Sequence, residues 1–239
     1  MTSYLSATRH PWACLVFLLP LMIVYEGGVL YFGGVNATGM RNGADEWLRW
    51  GLERYGLGQM WAAPILVVGI LVVHSALTWK TRPTEPLATC FGMMLESVLF
   101  AVGLWTIAKN FTPLMQQWGI PTASIQFQTP AATQLVTYIG AGIYEEVLFR
   151  LCLFGGLCFL LRLVLLPSIV AIPLAAVAAA LTFSAAHHVG QSGEEIVAVK
   201  FLFRLVAGLY FTALYVFRGF GIAVGAHAAY DILVGVSVE

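Results

Sequence analysis

Charge is scarce in this chain. Only 10% of its 239 residues are Asp, Glu, Lys or Arg, against about a quarter in an ordinary soluble domain. Acidic and basic residues balance to a formal net charge of zero, so nothing points to nucleic acid as a partner. Cysteine is nearly missing too. Cys14, Cys90, Cys152 and Cys158 are scattered through apolar stretches and form no Cys-x-x-Cys pair. That excludes a disulfide framework and zinc-finger spacing and leaves them as small buried hydrophobes. There is no His-Glu-x-x-His sequence, no apparent internal repeat and no Ser/Gly-rich linker. What fills the chain is apolar: 59% hydrophobic residues and a mean hydropathy of +0.83. These features predict an all-α, polytopic integral membrane helix bundle, a single domain over residues 1–239 with the lipid bilayer as its solvent.

About eight apolar segments, transmembrane or partly re-entrant, follow one another at roughly 12–32, 61–79, 88–108, 131–153, 154–166, 168–187, 198–217 and 219–237. The first lacks a small-residue cleavage site and reads as a retained span rather than a signal peptide. The fifth is short, which suggests a tilted or re-entrant piece. The connection over 33–60 interleaves Arg41, Asp45, Glu46, Arg49, Glu53 and Arg54 with Trp47, Leu48, Trp50, Leu52 and Tyr55. That pattern predicts an amphipathic helix over 44–56 lying in the interface, with its tryptophans at headgroup level. Residues 110–130 contain no Lys or Arg but hold Pro113, Pro121 and Pro130, and read as an extended loop. Arg9, Lys80, Arg82 and this uncharged loop favour an N-terminus in the cytoplasm, against the three arginines of the 33–60 connection. If every later segment crosses fully, Glu145, Glu146, Arg150 and His187 fall toward the cytoplasmic half. His227 then lies near mid-depth and Asp231 deeper toward the cytoplasm.

Against this apolar background a few ionisable residues stand out. Each costs roughly 2.5–3.5 kcal/mol at the centre of a membrane helix on insertion scales, so a chain that keeps several there is using them. Glu146 and Arg150 are four apart and share a helical face, which suits an ion pair that lowers the cost of both charges. Glu145 is rotated by about 100° from Glu146 and is free to face a different cavity, where a carboxylate outside the arginine pair suits a general base. Phe183 and His187 share a face at the end of the alanine-rich sixth segment, followed by His188, which also suits a solvated or capping position. His227 and Asp231 lie one turn apart in the last segment, where the carboxylate could orient the imidazole and fix its tautomer. Arg204, in the seventh segment, could line the same cavity or neutralise Glu146. Each pair alone also serves as a structural lock between helices; the three motifs in order, on three apolar segments, point to one site.

Glu145-Glu146-x-x-x-Arg150, then Phe183-x-x-x-His187, then His227-x-x-x-Asp231 resemble the three motifs of the CPBP family of intramembrane proteases, the type II CAAX prenyl endopeptidases and bacteriocin-processing relatives. The resemblance covers about 130–237, the motif-bearing core; Asp231 stands where the family usually has Asn. It implies hydrolysis of a peptide bond in a polar cavity within the membrane, on a peptide or membrane-protein substrate. Glu145 would activate a water with help from His187. His227 and Asp231 would support the oxyanion or position the scissile carbonyl, and Glu146 with Arg150 would organise the first motif. In the glutamate–histidine form no cofactor is required. In the metal form a divalent ion such as zinc would be held by Glu145, His187 and His227. The compact size suits a protein of the bacterial cytoplasmic membrane with its site toward the cytoplasmic side. The competing readings are a non-catalytic scaffold or bacteriocin-immunity protein, and a proton-coupled transporter; the oligomeric state is not encoded in any visible feature.

Overall fold

The computed structural model describes residues 3–34, 39–120, 132–190 and 193–236. A single turn, α1 (Tyr4–Ala7), precedes α2 (Pro11–Gly33). The latter starts sharply because Pro11 stands at its first position and the His10 ring accepts the Trp12 N–H at 3.1 Å. Then come α3 (Gly43–Glu53), α4 (Ala62–Leu77) and α5 (Pro86–Gln117). A continuous run follows: α6 (Ala132–Glu146), a π-helical segment (Val147–Phe154) and α7 (Gly155–Leu163). The bundle closes with α8 (Ser168–Ala186), α9 (Ala198–Arg218) and α10 (Phe220–Val236). Among the described residues α2, α5, α8 and α9 are long and apolar enough to cross a membrane, and α4 and α10 are shorter apolar helices. Ile23, Val73, Leu99 and Ile169 all point outward and are exposed. A water-soluble fold would gather such side chains inside; here they form the surface offered to lipid, and the protein is an integral membrane protein.

The core sits around α10, which packs on α5, α6, α9 and α2. Its Ile222, Ala223, Val224 and Ala226 are fully buried. Small residues let the neighbours approach, as membrane helices require where lipid supplies no hydrophobic drive for association. At Gly142 of α6 the approach is closest to the chemistry. A Cβ there would lie 2.7 Å from both the Ala228 Cβ and the Ala228 backbone nitrogen. No side chain fits, and α6 therefore rests directly on α10 just before Glu145 and Glu146.

Four expectations change. The helix α5 runs on to Gln117 with Pro113 inside it, so 110–117 is helical rather than extended; Pro121 and Pro130 lie outside the described residues. The segments expected at 131–153 and 154–166 are consecutive parts of one helical run, because no turn separates them and the Gly155 N–H donates to the Arg150 carbonyl five residues back. One crossing in place of two reverses the direction of everything after it. The start of α10 meets the N-terminal end of the molecule, where Gly219 lies against Arg9, and Gly235 lies against Tyr138 in α6. Asp231 is thus farther than His227 from the end bearing Arg9, not nearer to it. Finally, α3 does not keep all its charges on the outside: Trp47, Trp50, Glu46 and Glu53 are exposed, Leu48 and Leu52 pack on the core, and Asp45 is completely buried among them.

Candidate active site

The six residues singled out in the sequence come together between α6 with its π segment, α8 and α10. The Glu146 carboxylate is fully buried and holds two partners on one oxygen. Arg150 Nη1 lies 3.0 Å from Oε1, and His227 Nδ1 donates to the same oxygen at 2.7 Å. The Arg150 guanidinium, itself buried, lies over the Phe183 ring at 4.5 Å and donates from Nη2 to the Gly208 carbonyl at 3.3 Å. A cation beside an aromatic face and a carboxylate is stabilised where water is excluded. On its other face the His227 ring stacks on Phe211 with centroids 4.4 Å apart. The ring is thereby fixed in tilt by Phe211 and in rotation by Glu146, with Nε2 aimed at the remaining carboxylates. The orienting partner expected at Asp231 is in fact Glu146: Asp231 Oδ2 sits 3.6 Å from Nε2, beyond a good hydrogen bond.

His187 is anchored at Nδ1 by the Phe183 carbonyl at 2.9 Å, its own helix one turn back, and Nε2 again points inward. With Nδ1 donating to the carbonyl, the Nε2 of a neutral ring carries the lone pair. Both Nε2 atoms face the same oxygen: Glu145 Oε2 lies 3.9 Å from His187 and 3.8 Å from His227. Among the described residues this oxygen is buried and receives no hydrogen bond. Exposure falls across the cluster. The Glu146 and Arg150 side chains are closed off, at 0% and 1%, while those of His187 and Asp231 keep 26% and 24% of their surface open. The Glu146–Arg150 side is a wall, and the His187–Asp231 side is the approach.

The other Glu145 oxygen is held by a residue that no spacing rule singles out. Asn42, the cap of α3, donates from Nδ2 to Glu145 Oε1 at 3.1 Å. Behind it lies a second buried charge cluster. Arg41 binds Glu26 at 3.1 Å and Asp45 at 2.7 Å, and Arg49 reaches the same two carboxylates at 3.2 and 2.7 Å. Burial disfavours the Arg41 cation, but the Asp45 and Glu26 carboxylates outweigh it and hold the guanidinium above its ordinary range. Tyr144, next to Glu145, donates to Glu26 at 2.7 Å, and Tyr25 donates to Asp45 at 3.0 Å. Neither Glu26 nor its pairing with the arginines of the 33–60 connection is signalled by any spacing in the sequence.

Arg204 does not neutralise Glu146, although its charge is near enough to act on His187 and Asp231 at the open edge of the site. It binds Glu194 at 2.6 Å, in the segment leading into α9, with Lys200 on the other oxygen at 3.0 Å. His188 Nδ1 pairs with the Glu194 carbonyl at 2.9 Å, which gives that histidine a local anchoring role.

The three atoms that would ligate a metal, Glu145 Oε2, His187 Nε2 and His227 Nε2, have suitable chemistry. Each histidine is oriented through its other nitrogen, as metal-binding imidazoles usually are. Two zinc bonds of ~2.1 Å at the tetrahedral angle would put ligand atoms about 3.4 Å apart. The 3.8 and 3.9 Å observed are wider, and among the described residues no group of three His, Cys, Asp or Glu closes to ligand spacing.

The two ends of the bundle differ in what they carry. His10 reaches the Thr78 carbonyl, Arg9 reaches the Phe217 carbonyl and Arg218 pairs with Glu96, all at one end of the bundle together with Lys80 and Arg82. Glu145 instead meets Asn42, in the connection that follows the first span. A site in the half on the Arg9 side is therefore not what the structure shows, because α6 continues beyond Glu146 for a further seventeen residues to Leu163 before it turns.

The site is a cluster of carboxylates, imidazoles and a guanidinium gathered inside an α-helical membrane bundle. Residues 127–233, which include all six clustered side chains, match the family model described as Rce1-like, type II CAAX prenyl endopeptidase. That part of the chain is similar to a family of endopeptidases, and the helices before it lie outside the match. No curated protein and no solved structure matches it.

Proposed function

We propose that the protein is an intramembrane endopeptidase in which Glu145 and His187 activate a water molecule. The observation that carries this reading is the division of labour between adjacent carboxylates. Glu146 is committed to Arg150 and His227, whereas Glu145 Oε2 faces two imidazole nitrogens with the guanidinium engaged elsewhere. A base must be near the water and free to take its proton, and Glu145 meets both requirements.

A water bridging Glu145 and His187 would attack the scissile carbonyl carbon as Glu145 takes its proton. The carbonyl oxygen becomes an oxyanion, for which a doubly protonated His227 supplies the Nε2–H while its Nδ1–H stays on Glu146. Collapse breaks the C–N bond, and Glu145 returns the proton to the leaving nitrogen, giving a carboxylic acid and an amine. Arg150 holds Glu146 and so sets His227. Asp231 as a carboxylate cannot donate to an oxyanion; it borders the His227 edge on the open side and helps place the peptide. No step requires a metal or another cofactor, and on this reading cleavage persists in a strong chelator.

The test is membrane peptidomics on cells expressing wild type or Glu145→Gln at equal levels. New termini that vanish in the variant support the reading, and the cut sites then supply the sequence of a quenched reporter peptide. Identical profiles with both proteins folded would overturn it in favour of a scaffold. A farnesylated peptide ending in Cys-aliphatic-aliphatic-X is the first synthetic substrate to try, given the family description.

By the preference of unpaired cations for the cytoplasm, the end bearing Arg9, Lys80 and Arg82 is the cytoplasmic one, and the α3 end that reaches Glu145 faces the other compartment. In a cysteine-free background, an impermeant maleimide added outside should label a cysteine at Tyr55 and not one at Arg82. The reverse pattern would place the α3 end in the cytoplasm.

A further inference from the structure

We infer that Asn42 is a positioning residue for Glu145, delivered to the site by the buried charge cluster of the N-terminal half; this rests on the reading of Glu145 as the base. Three hydrogen bonds leave the residue a single orientation. Its Oδ1 accepts the Ala44 N–H at 2.8 Å as the N-cap of α3. The side-chain amide cannot flip without losing that cap, so its NH2 group must face Glu145, and it does so at 3.1 Å. Its backbone N–H donates to the Tyr25 hydroxyl at 3.1 Å, and that hydroxyl donates onward to Asp45 at 3.0 Å. Asp45 in turn is clamped by Arg41 and Arg49, and Arg41 is the neighbour of Asn42 in the chain.

The effect on the carboxylate is specific. One oxygen, Oε1, is occupied by a donor whose position is set by the fold. The other, Oε2, is left buried and turned toward both imidazoles. Without Asn42 the side chain could rotate about its terminal bond and exchange its two oxygens, and the reactive one would no longer be defined. A positioned base contributes through geometry, so the loss should appear in turnover rather than in substrate binding. The polar network behind Asn42 ends at Tyr144, whose hydroxyl bonds Glu26 and whose backbone leads directly into Glu145. Glu145 is therefore held from two directions by the same ion cluster.

Asn42 has a second role as a helix cap, and the variants must separate the two. Asn42→Ser and Asn42→Asp both keep a good cap. Ser withdraws the amide donor, and Asp places a carboxylate against Glu145. Asn42→Ala loses the cap as well. The experiment measures kcat and KM for the reporter peptide with wild type, the three Asn42 variants and Glu145→Gln, together with the thermal midpoint of each in lipid nanodiscs. The expected result is a fall in kcat of roughly 10- to 100-fold for Asn42→Ser, the size of a lost hydrogen bond to a charged group, with KM and the midpoint unchanged. Asn42→Asp should fall further at the same midpoint, and Asn42→Ala should lose both turnover and stability. Wild-type kcat in Asn42→Ser and Asn42→Asp, with Glu145→Gln inactive, would overturn the inference and leave Asn42 as a cap alone. Full activity in Glu145→Gln would instead sink the reading on which it rests.

Discussion

Two buried charge clusters lie side by side in this protein, and they are built on opposite terms. The N-terminal one sets two carboxylates, Glu26 and Asp45, against two guanidiniums, Arg41 and Arg49, and each carboxylate meets both arginines. The other sets Glu145, Glu146 and Asp231 against a single guanidinium ion pair among the described residues, Arg150 on Glu146, with two imidazoles between them and Arg204 farther out. It also leaves Glu145 Oε2 and Glu146 Oε2 buried without a hydrogen-bond donor among the described residues. Balanced and fully paired charge can survive away from water as structure. An excess of one sign with an unsatisfied oxygen is costly to keep, and its retention calls for a use such as accepting a proton from a reactant.

The largest contrast should come from removing one charge from each. Glu145→Gln should lower cleavage by about 10²- to 10⁴-fold, the usual worth of a general base, while the thermal midpoint stays level or rises, since an unsatisfied charge has been removed. Arg41→Met should do the reverse. It leaves Glu26 and Asp45 to share Arg49 and should destabilise the fold by about 3–5 kcal/mol, measurable by denaturant titration in mixed micelles; restoring balance with Glu26→Gln in the same chain should recover part of that. Equal midpoints for the two single variants would refute the distinction between the clusters.

A smaller effect is expected at the open edge of the site. Asp231→Asn exchanges an acceptor for an amide that can also donate, at unchanged size, and should leave cleavage within about tenfold of wild type, the worth of a single neutral hydrogen bond. Complete inactivity would show that the charge of Asp231 is required. The mildest test concerns Glu194, outside the membrane helices. Burial raises its pKa, but the hydrogen bonds and charges of Arg204 and Lys200 prevail and hold the carboxyl below its ordinary 4.5. Glu195 and His188 are the other titratable groups beside it, and His188 meets the Glu194 carbonyl rather than the carboxylate. A depressed folded-state pKa adds stability that is complete above the unfolded value and fades as pH falls through the folded one. Glu194→Gln should therefore melt below wild type at neutral pH, and the two should converge as the pH is lowered through 4.5 and beyond. A gap that persisted in acid would mean that the glutamate acts through packing instead.

Much of the helical framework was legible because hydrophobic length is a strong signal. The spans at 168–187 and 198–217 match α8 and α9 to within a residue at either end. The boundary that failed, at 153–154, is one where apolar residues continue without a break. A run of that kind cannot say whether it turns back or carries on, and an error there inverts every later helix. The burial of Asp45 on α3 was illegible for another reason. An amphipathic pattern locates two faces but not which of them meets protein, and the partner that draws Asp45 inside is Arg41 bound to Glu26, on a different helix. The grouping of Glu145, Glu146, Arg150, His187, His227 and Asp231 could be anticipated from order and spacing. The hydrogen bond between Glu146 and His227 could not, because they lie eighty-one residues apart and three carboxylates were available to that imidazole. Asn42 carries no signal at all beyond being a good helix cap.

The matched family segment covers residues 127–233, and Asn42, Glu26, Arg41 and Asp45 all lie upstream of it. The motif-bearing half is therefore not interchangeable as a cassette. Transplanted onto the N-terminal half of a relative, it would bring its six polar side chains and leave behind the scaffold that immobilises the first of them. Chimaeras between such proteins should work only when the junction keeps a matching α2–α3 unit with the helices it serves, so the two halves of this chain are bound to change together.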